Sequence, residues 1–382
     1  MTTRAGLVSI VQRDLREFPV VTLLGARQVG KTTLAEQVRA LWSESQAFDL
    51  EKAEDLAALA NPGPALAGLR GLVVLDEIQR RPDLFTALRP LADRPGMPAR
   101  FLLLGSASPE LVKGASESLA GRTSFVPVPG FSLEEVGASA IEALWLRGGF
   151  PRAFLAETDE ASLRWRQAFI TAFLERDLPQ LGIRVPSQAI HRFWMMLAHA
   201  HGQVLNAERL AASLGVTGKT IRHHLDLLVG TFMVRRLQPW HENLGKRQVK
   251  APKIYLRDPG LLHALLGLGD ARALRSHPVC GASWEGFAIE ELLKRFGPDD
   301  AYFWATHAGA EIDLLLLRDG RRFGFEIKLT DAPSTSRSMH VALADLGLER
   351  LFVIHGGTRR FPLGDRIEAV PAAQITTLDL TG

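Results

Sequence analysis

PVVTLLGARQVGKTTLAEQV (residues 19–38) decides the fold of the first part of this chain. Residues 19–25 are short, apolar and β-branched, the composition of a strand buried on both faces. They run directly into Gly25, Ala26, Arg27, Gln28, Val29, Gly30, Lys31, Thr32 and Thr33. That run satisfies G-x-x-x-x-G-K-[ST] without a gap, and an alanine- and leucine-bearing helix follows it. Its glycines let the backbone turn tightly, so that successive N–H groups and the N-terminal end of the helix face a phosphate. Lys31 then reaches the β- and γ-phosphates of a nucleotide, and Thr32 supplies a hydroxyl to Mg²⁺. The expected ligand is ATP with Mg²⁺.

Working outward, GLVVLDEIQ (71–79) is a second apolar strand that ends in two carboxylates. Asp76 is placed to hold Mg²⁺ and Glu77 to polarise the attacking water as a general base. A third strand, RFLLLGSAS (100–108), carries Ser106 past a run of leucines, where it orients that water or caps a helix ahead of Pro109. In ESLAGRTSFVPV (117–128), Arg122 is a candidate for the arginine that one subunit lends to its neighbour's γ-phosphate. Arginine outnumbers lysine 36 to 9 in this chain. An isolated Arg therefore says little, whereas a Lys at position 31 says more.

GARQVGKTTL, LDEIQ, LLLGSAS, SLAGR and GGFP (148–151) together resemble a family of bacterial and archaeal AAA+ ATPases. Members of that family carry a winged-helix segment and a restriction-endonuclease-like C-terminal domain. The resemblance implies a P-loop AAA+ domain of α/β class with a parallel sheet, then a helical lid and winged helix, then an α/β nuclease-like domain. The corresponding bounds are 1–155, 156–270 and 271–382. It also implies a homo-oligomer, a ring with the hexamer among its forms, and it places Arg152 in the lid as a nucleotide sensor.

Composition agrees with several cores. At 382 residues, 46% apolar and 23% charged, the chain has the make-up of two or three globular domains rather than a disordered polymer. The lone Cys280 excludes an intrachain disulfide, and no Cys/His spacing suits structural zinc. The N-terminal residues lack a leader pattern, and no uncharged apolar run reaches spanning length. The expectation is a cytoplasmic protein without a membrane partner. The formal charge of +3 is uneven, because residues 186–260 hold eleven Lys/Arg against four Asp/Glu, a net +7, which leaves −4 elsewhere.

That basic segment has a pattern of its own. A helix breaks near Pro179 and Gly182, and VLNAERLAASLGVTGKTIRHHLDLLVGTFMVRRL (204–237) follows. One helix runs from Ala207 to Gly215 and a second from near Thr217 to Gly230, which is helix-turn-helix spacing. Its second helix presents Lys219, Arg222 and His223 outward. Two strands come next, in residues 232–240 and 252–258, around a loop bearing Lys246, Arg247 and Lys250. Backbone contact with DNA is the expected use, and a protein-binding module is the alternative.

In the last hundred residues, EIDLLLLRDGRRFGFEIKL (311–329) has Asp-Gly at 319–320 between strand-like runs, the signal for a two-residue hairpin. Pairing Arg318 with Arg321 and counting outward sets Asp313 opposite Glu326, with Lys328 on the same face. Opposed carboxylates repel, and a divalent cation would relieve the conflict. This D…E-x-K arrangement resembles restriction-endonuclease-like nucleases, which implies Mg²⁺ at Asp313 and Glu326, a further acid at Glu285, and Lys328 assisting the attack. The leading expectation is an ATPase that acts on DNA, as a motor or an ATP-gated nuclease. The alternative is a nucleotide switch that controls a protein partner, with an inactive nuclease-like domain used for binding.

Overall fold

The computed structural model describes residues 2–106, 115, 117–183, 185–241 and 248–380. Two compact units emerge, Met1–Gly130 with Gly230–Phe232, and Phe131–Val229 with Met233–Gly382.

The first unit is built on five strands, β1 (Val20–Gly25), β2 (Ser45–Asp49), β3 (Gly71–Asp76), β4 (Ala99–Ser106) and β5 (Thr123–Pro127). They pair in the order β2-β3-β4-β1-β5, all parallel. A parallel sheet covered on both faces needs apolar residues at consecutive positions, and every residue of β1 is buried. Val73, Leu75, Phe101 and Leu103 form one layer of the core with Leu84 and Leu88 from the helix Asp83–Ala92. Each fully buried Leu or Phe of this kind contributes about 1.5–3 kcal/mol. Because β1 lies between strands that follow it in sequence, the chain reverses direction across the sheet beside it. The carboxyl ends of the strands at such a point form a ligand-binding crevice.

In the second unit, Thr158 caps the helix Asp159–Ala172 by accepting the N–H of Ala161 at 3.1 Å. The helix continues as a π-helical turn, Phe173–Asp177, before the short helix Leu178–Gln180. The helix pair expected from the sequence is present as Ala207–Leu214 and Gly218–Gly230, joined through Gly215 at φ +68°. The strands β6 (Gln203–Val204), β7 (Val234–Pro239) and β8 (Lys253–Leu256) accompany it, with β8 antiparallel to both others.

These strands do not close off a separate domain. β7 also pairs in parallel with β9 (Ala301–Ala305), the first strand of the C-terminal segment. Beyond it lie β10 (Glu311–Arg318), β11 (Arg321–Lys328), β12 (Arg350–His355), β13 (Phe361–Pro362) and β14 (Ile367–Pro371). One nine-stranded sheet results, in the order β13-β14-β12-β11-β10-β9-β7-β8-β6. The middle and last segments thus share a single compact unit, where three separate modules were expected.

Buried polar links reinforce that union. Glu290, on the helix Cys280–Phe296, receives Arg235 Nη2 at 2.9 Å from β7 and lies 3.5 Å from Arg257 Nε. Burial alone would raise its pKa, but the two guanidiniums hold it down to about 2. The first boundary also falls earlier than residue 155. Gly149 donates its N–H to Asp258 Oδ2 at 2.7 Å, and buried Arg166 donates to Leu146 O at 3.2 Å and Gly260 O at 2.9 Å. The GGFP segment is therefore held by residues of the second unit. Among the described residues no helix is long and apolar enough to cross a membrane.

Candidate functional site

The crevice of the first unit collects the residues singled out above. The parallel register pairs Gly25 with Ser106 and Asp49 with Asp76, so the phosphate loop, the β3 carboxylates and the end of β4 share one edge of the sheet. Gly25 is required by space, since a Cβ there would stand 2.4 Å from the carbonyl oxygen of Val128. Gly30 adopts φ +96° and opens the helix Lys31–Arg39. Such a left-handed position suits glycine because an L side chain there meets the backbone.

Lys31 is buried, and its Nζ donates to the carbonyls of Gly25 at 3.0 Å and Ala26 at 2.9 Å. Burial pushes its pKa down to about 8, partly offset by Glu77 and Asp76. Thr32 Oγ1 donates to Asp76 Oδ2 at 2.8 Å. Two hard oxygen donors at that spacing, one of them a carboxylate whose pKa burial raises, fit Mg²⁺. Glu77 sits at φ +55°, an unusual backbone for a glutamate. Burial raises its pKa too, opposed by Lys31, and Gln79 Nε2 contacts its Oε2. A desolvated carboxylate with a raised pKa is suited to take a proton. Gln79 and Asp49 had no marker in the sequence beyond their places near strand ends.

Other candidates fall out differently. Ser106 is placed by register at the end of β4. Arg122 donates in bidentate fashion to Asp93, with Nε to Oδ1 at 2.6 Å and Nη2 to Oδ2 at 2.8 Å. Arg152 is exposed on the helix Pro151–Phe154 of the second unit. Lys219, Arg222 and His223 all face outward on Gly218–Gly230, as the periodicity requires, and Arg222 pairs with Glu208 at 3.0 Å. Lys250 is exposed, while Lys246 and Arg247 lie outside the described residues.

The hairpin has the register expected from its turn. Arg318 pairs with Arg321 and Leu314 with Phe325, around Asp319 at φ +50° and Gly320 at φ +75°. Asp313 and Glu326 consequently lie together, each 7% exposed, and Glu285 joins them from the helix Cys280–Phe296. Burial and the Asp313 charge push both Glu285 and Glu326 up to about 7. Lys328 Nζ lies 2.7 Å from Glu326 Oε1.

A residue that sequence reasoning missed stands among them. Lys253, from β8, places its Nζ 3.3 Å from Glu285 Oε1 and 3.6 Å from Asp313 Oδ1, in contact with Glu311. Burial disfavours its charge, yet Glu285, Asp313 and Glu311 raise its pKa. Tyr255, on the same face of β8, donates to Glu285 Oε1 at 2.5 Å. Glu285, Asp313 and Glu326, expected to hold Mg²⁺, thus share their cluster with a cation of the chain itself. The carboxylates converge, but a lysine ammonium already stands between two of them. Its only sequence signal was a lysine opening an apolar strand in an arginine-rich chain.

The parallel sheet, its crevice and the Lys31–Thr32–Asp76–Glu77 cluster define a P-loop ATPase domain of the AAA+ class. The profile of the family described as "AAA domain" matches residues 17–137. Two profiles described as domains of unknown function, DUF8612 and DUF4143, match 138–272 and 280–375. The chain is 53% identical over 374 residues to the uncharacterized proteins Rv2008c of Mycobacterium tuberculosis and Mb2031c of Mycobacterium bovis. Since the match covers 98% of this chain and 85% of those proteins, the chain belongs to their family. It shares its fold with the Walker-type ATPase PABY2304 of Pyrococcus abyssi, at TM-score 0.50 and 14% identity over 70% of this chain and 96% of that one.

Proposed function

We propose that the chain hydrolyses ATP with Mg²⁺ and uses the cycle to act on DNA bound by its second unit. The observation that carries the hydrolytic part is the convergence of Lys31, Thr32, Asp76 and Glu77 at the ends of β1 and β3. The N–H groups of residues 25–30 cradle the phosphates, and Lys31 exchanges the carbonyls of Gly25 and Ala26 for phosphate oxygens. Thr32 and Asp76 would hold Mg²⁺, which would supply positive charge against the β- and γ-phosphates. Glu77 accepts a proton from the attacking water, and Ser106 orients that water. Arg122 must release Asp93 before it can reach a neighbouring subunit's nucleotide in a homo-oligomer.

Lys219, Arg222, His223 and Lys250 would meet the phosphate backbone of DNA, within the segment of net +7. Among the described residues there, no set of side chains matches the edges of particular bases, so the contact is to backbone or shape. The test is ATP turnover measured with and without duplex and four-way-junction DNA at rising salt. Stimulation that fades as salt increases supports DNA as the substrate. A second reading, a switch that controls a protein partner, is favoured by the Arg222–Glu208 pair, which neutralises part of the outward face locally. Turnover indifferent to every DNA tested would select that reading.

A further inference from the structure

The carboxylate cluster of the second unit combines four acids from three elements. Asp313 and Glu311 belong to β10, Glu326 to β11 and Glu285 to the helix Cys280–Phe296. A divalent cation in such a cluster sits about 2.0–2.6 Å from its oxygens and neutralises them. Lys253 stands there instead, 5% exposed, within 3.3 Å of Glu285 and 3.6 Å of Asp313 and in contact with Glu311. A metal ion that bridged Glu285 and Asp313 would have to displace this ammonium, both because the space is taken and because like charges repel.

Neighbouring bonds fix the lysine's partners where they are. Tyr255 holds Glu285 Oε1 from the same strand, and Asp313 Oδ2 accepts the N–H of Ile327 at 2.8 Å. Glu326 Oε1 accepts from Lys328, while the buried Glu326 Oε2 makes no hydrogen bond. Removal of Lys253 should therefore leave Glu285, Glu311 and Asp313 around a vacant cation site.

We propose that Lys253 takes the place of the divalent cation: the cluster is an ionic lock that fastens β8 to the C-terminal hairpin, and the native chain does not take up metal there. Lysine is suited to the task because its compact ammonium can face several carboxylates at once. This inference is independent of whether DNA is the substrate.

The test uses the full chain without nucleotide, in an Asp76→Asn background that weakens metal binding beside the phosphate loop, with Mn²⁺ as the probe and free Mn²⁺ read by electron paramagnetic resonance. With Lys253 in place, adding Asp313→Asn should leave Mn²⁺ binding unchanged. Lys253→Met should create a site for one Mn²⁺ per chain, at least about tenfold tighter than before, and Asp313→Asn should abolish it again. Stoichiometric Mn²⁺ in the Lys253 chain that disappears with Asp313→Asn overturns the proposal, as does a folded Lys253→Met chain that gains no Mn²⁺. Should Lys253→Met fail to fold, the comparison of Lys253 chains with and without Asp313→Asn decides the matter alone.

Discussion

Each unit of this protein brings a buried lysine to a cluster of carboxylates, and the two lysines are bonded differently. Lys31 donates to the neutral carbonyls of Gly25 and Ala26, and burial lowers its pKa to about 8. Lys253 lies against Glu285, Glu311 and Asp313, and these raise its pKa despite burial. A lysine resting on carbonyls gains by exchanging them for phosphate oxygens, so it is poised for a ligand. One enclosed by carboxylates already has the strongest partners it can find, so it is structural. The presence of lysine beside paired acids therefore does not identify a metal-dependent site until the lysine's own partners are known.

The largest expected effect is at the first lysine. Lys31→Ala should lower ATP turnover by about 10²–10³-fold or more, the scale seen when a preorganised donor to transition-state charge is removed. Glu77→Gln should match that loss while retaining ATP, as equilibrium nucleotide binding will show. Turnover unchanged in both variants would remove the ATPase distinction between the clusters. For the second lysine the effect belongs in stability. Lys253→Met in metal-free buffer should cost about 3–5 kcal/mol in urea unfolding, because it strands buried carboxylates without their cation. A cost below about 1 kcal/mol would place Lys253 with exposed ion pairs instead.

The units should also part in their response to acid. All eleven histidines lie at or beyond His191. Within the second unit, His201 accepts the N–H of Leu256 at 3.0 Å, and burial pushes its pKa down to about 3. Its ordinary value is near 6.5, so the unfolded chain takes up the proton first as pH falls. Stability from neutral His201 is complete above about pH 6.5 and declines below it, by about 2 kcal/mol at pH 5. The difference in urea midpoint between the full chain and His201→Gln, followed through the buried Trp194 and Trp284, isolates this decline from the opposite contribution of Glu285 and Glu326, whose raised pKa values stabilise the folded chain as pH falls. A midpoint difference between the two chains that stays constant over that range would contradict a buried neutral imidazole. The smallest effect is on the outward helix. Arg222→Ala should weaken DNA binding uniformly across sequences and reduce the salt slope by about 1. No change in slope would take Arg222 out of contact with phosphate.

Features that depend on neighbours in sequence were legible in advance. The phosphate loop lies in nine consecutive residues, the paired acids of β3 follow an apolar run, and Asp319-Gly320 set the hairpin register that joins Asp313 to Glu326. The helix pair before β7 also followed from its periodicity and Gly215. What escaped was the pairing of β7 with β9, because a parallel contact between distant strands leaves no local pattern. Arg122 was singled out without Asp93, its partner at the surface.

By itself, the sequence determined a nucleotide loop, a carboxylate-ended strand and a hairpin that sets two acids face to face, since each rests on backbone chemistry over a few residues. Only the tertiary structure decided what meets those acids. Lys253 reaches them through a sheet that runs from the middle segment into the last one, and Coulomb interaction depends on distance in space rather than along the chain.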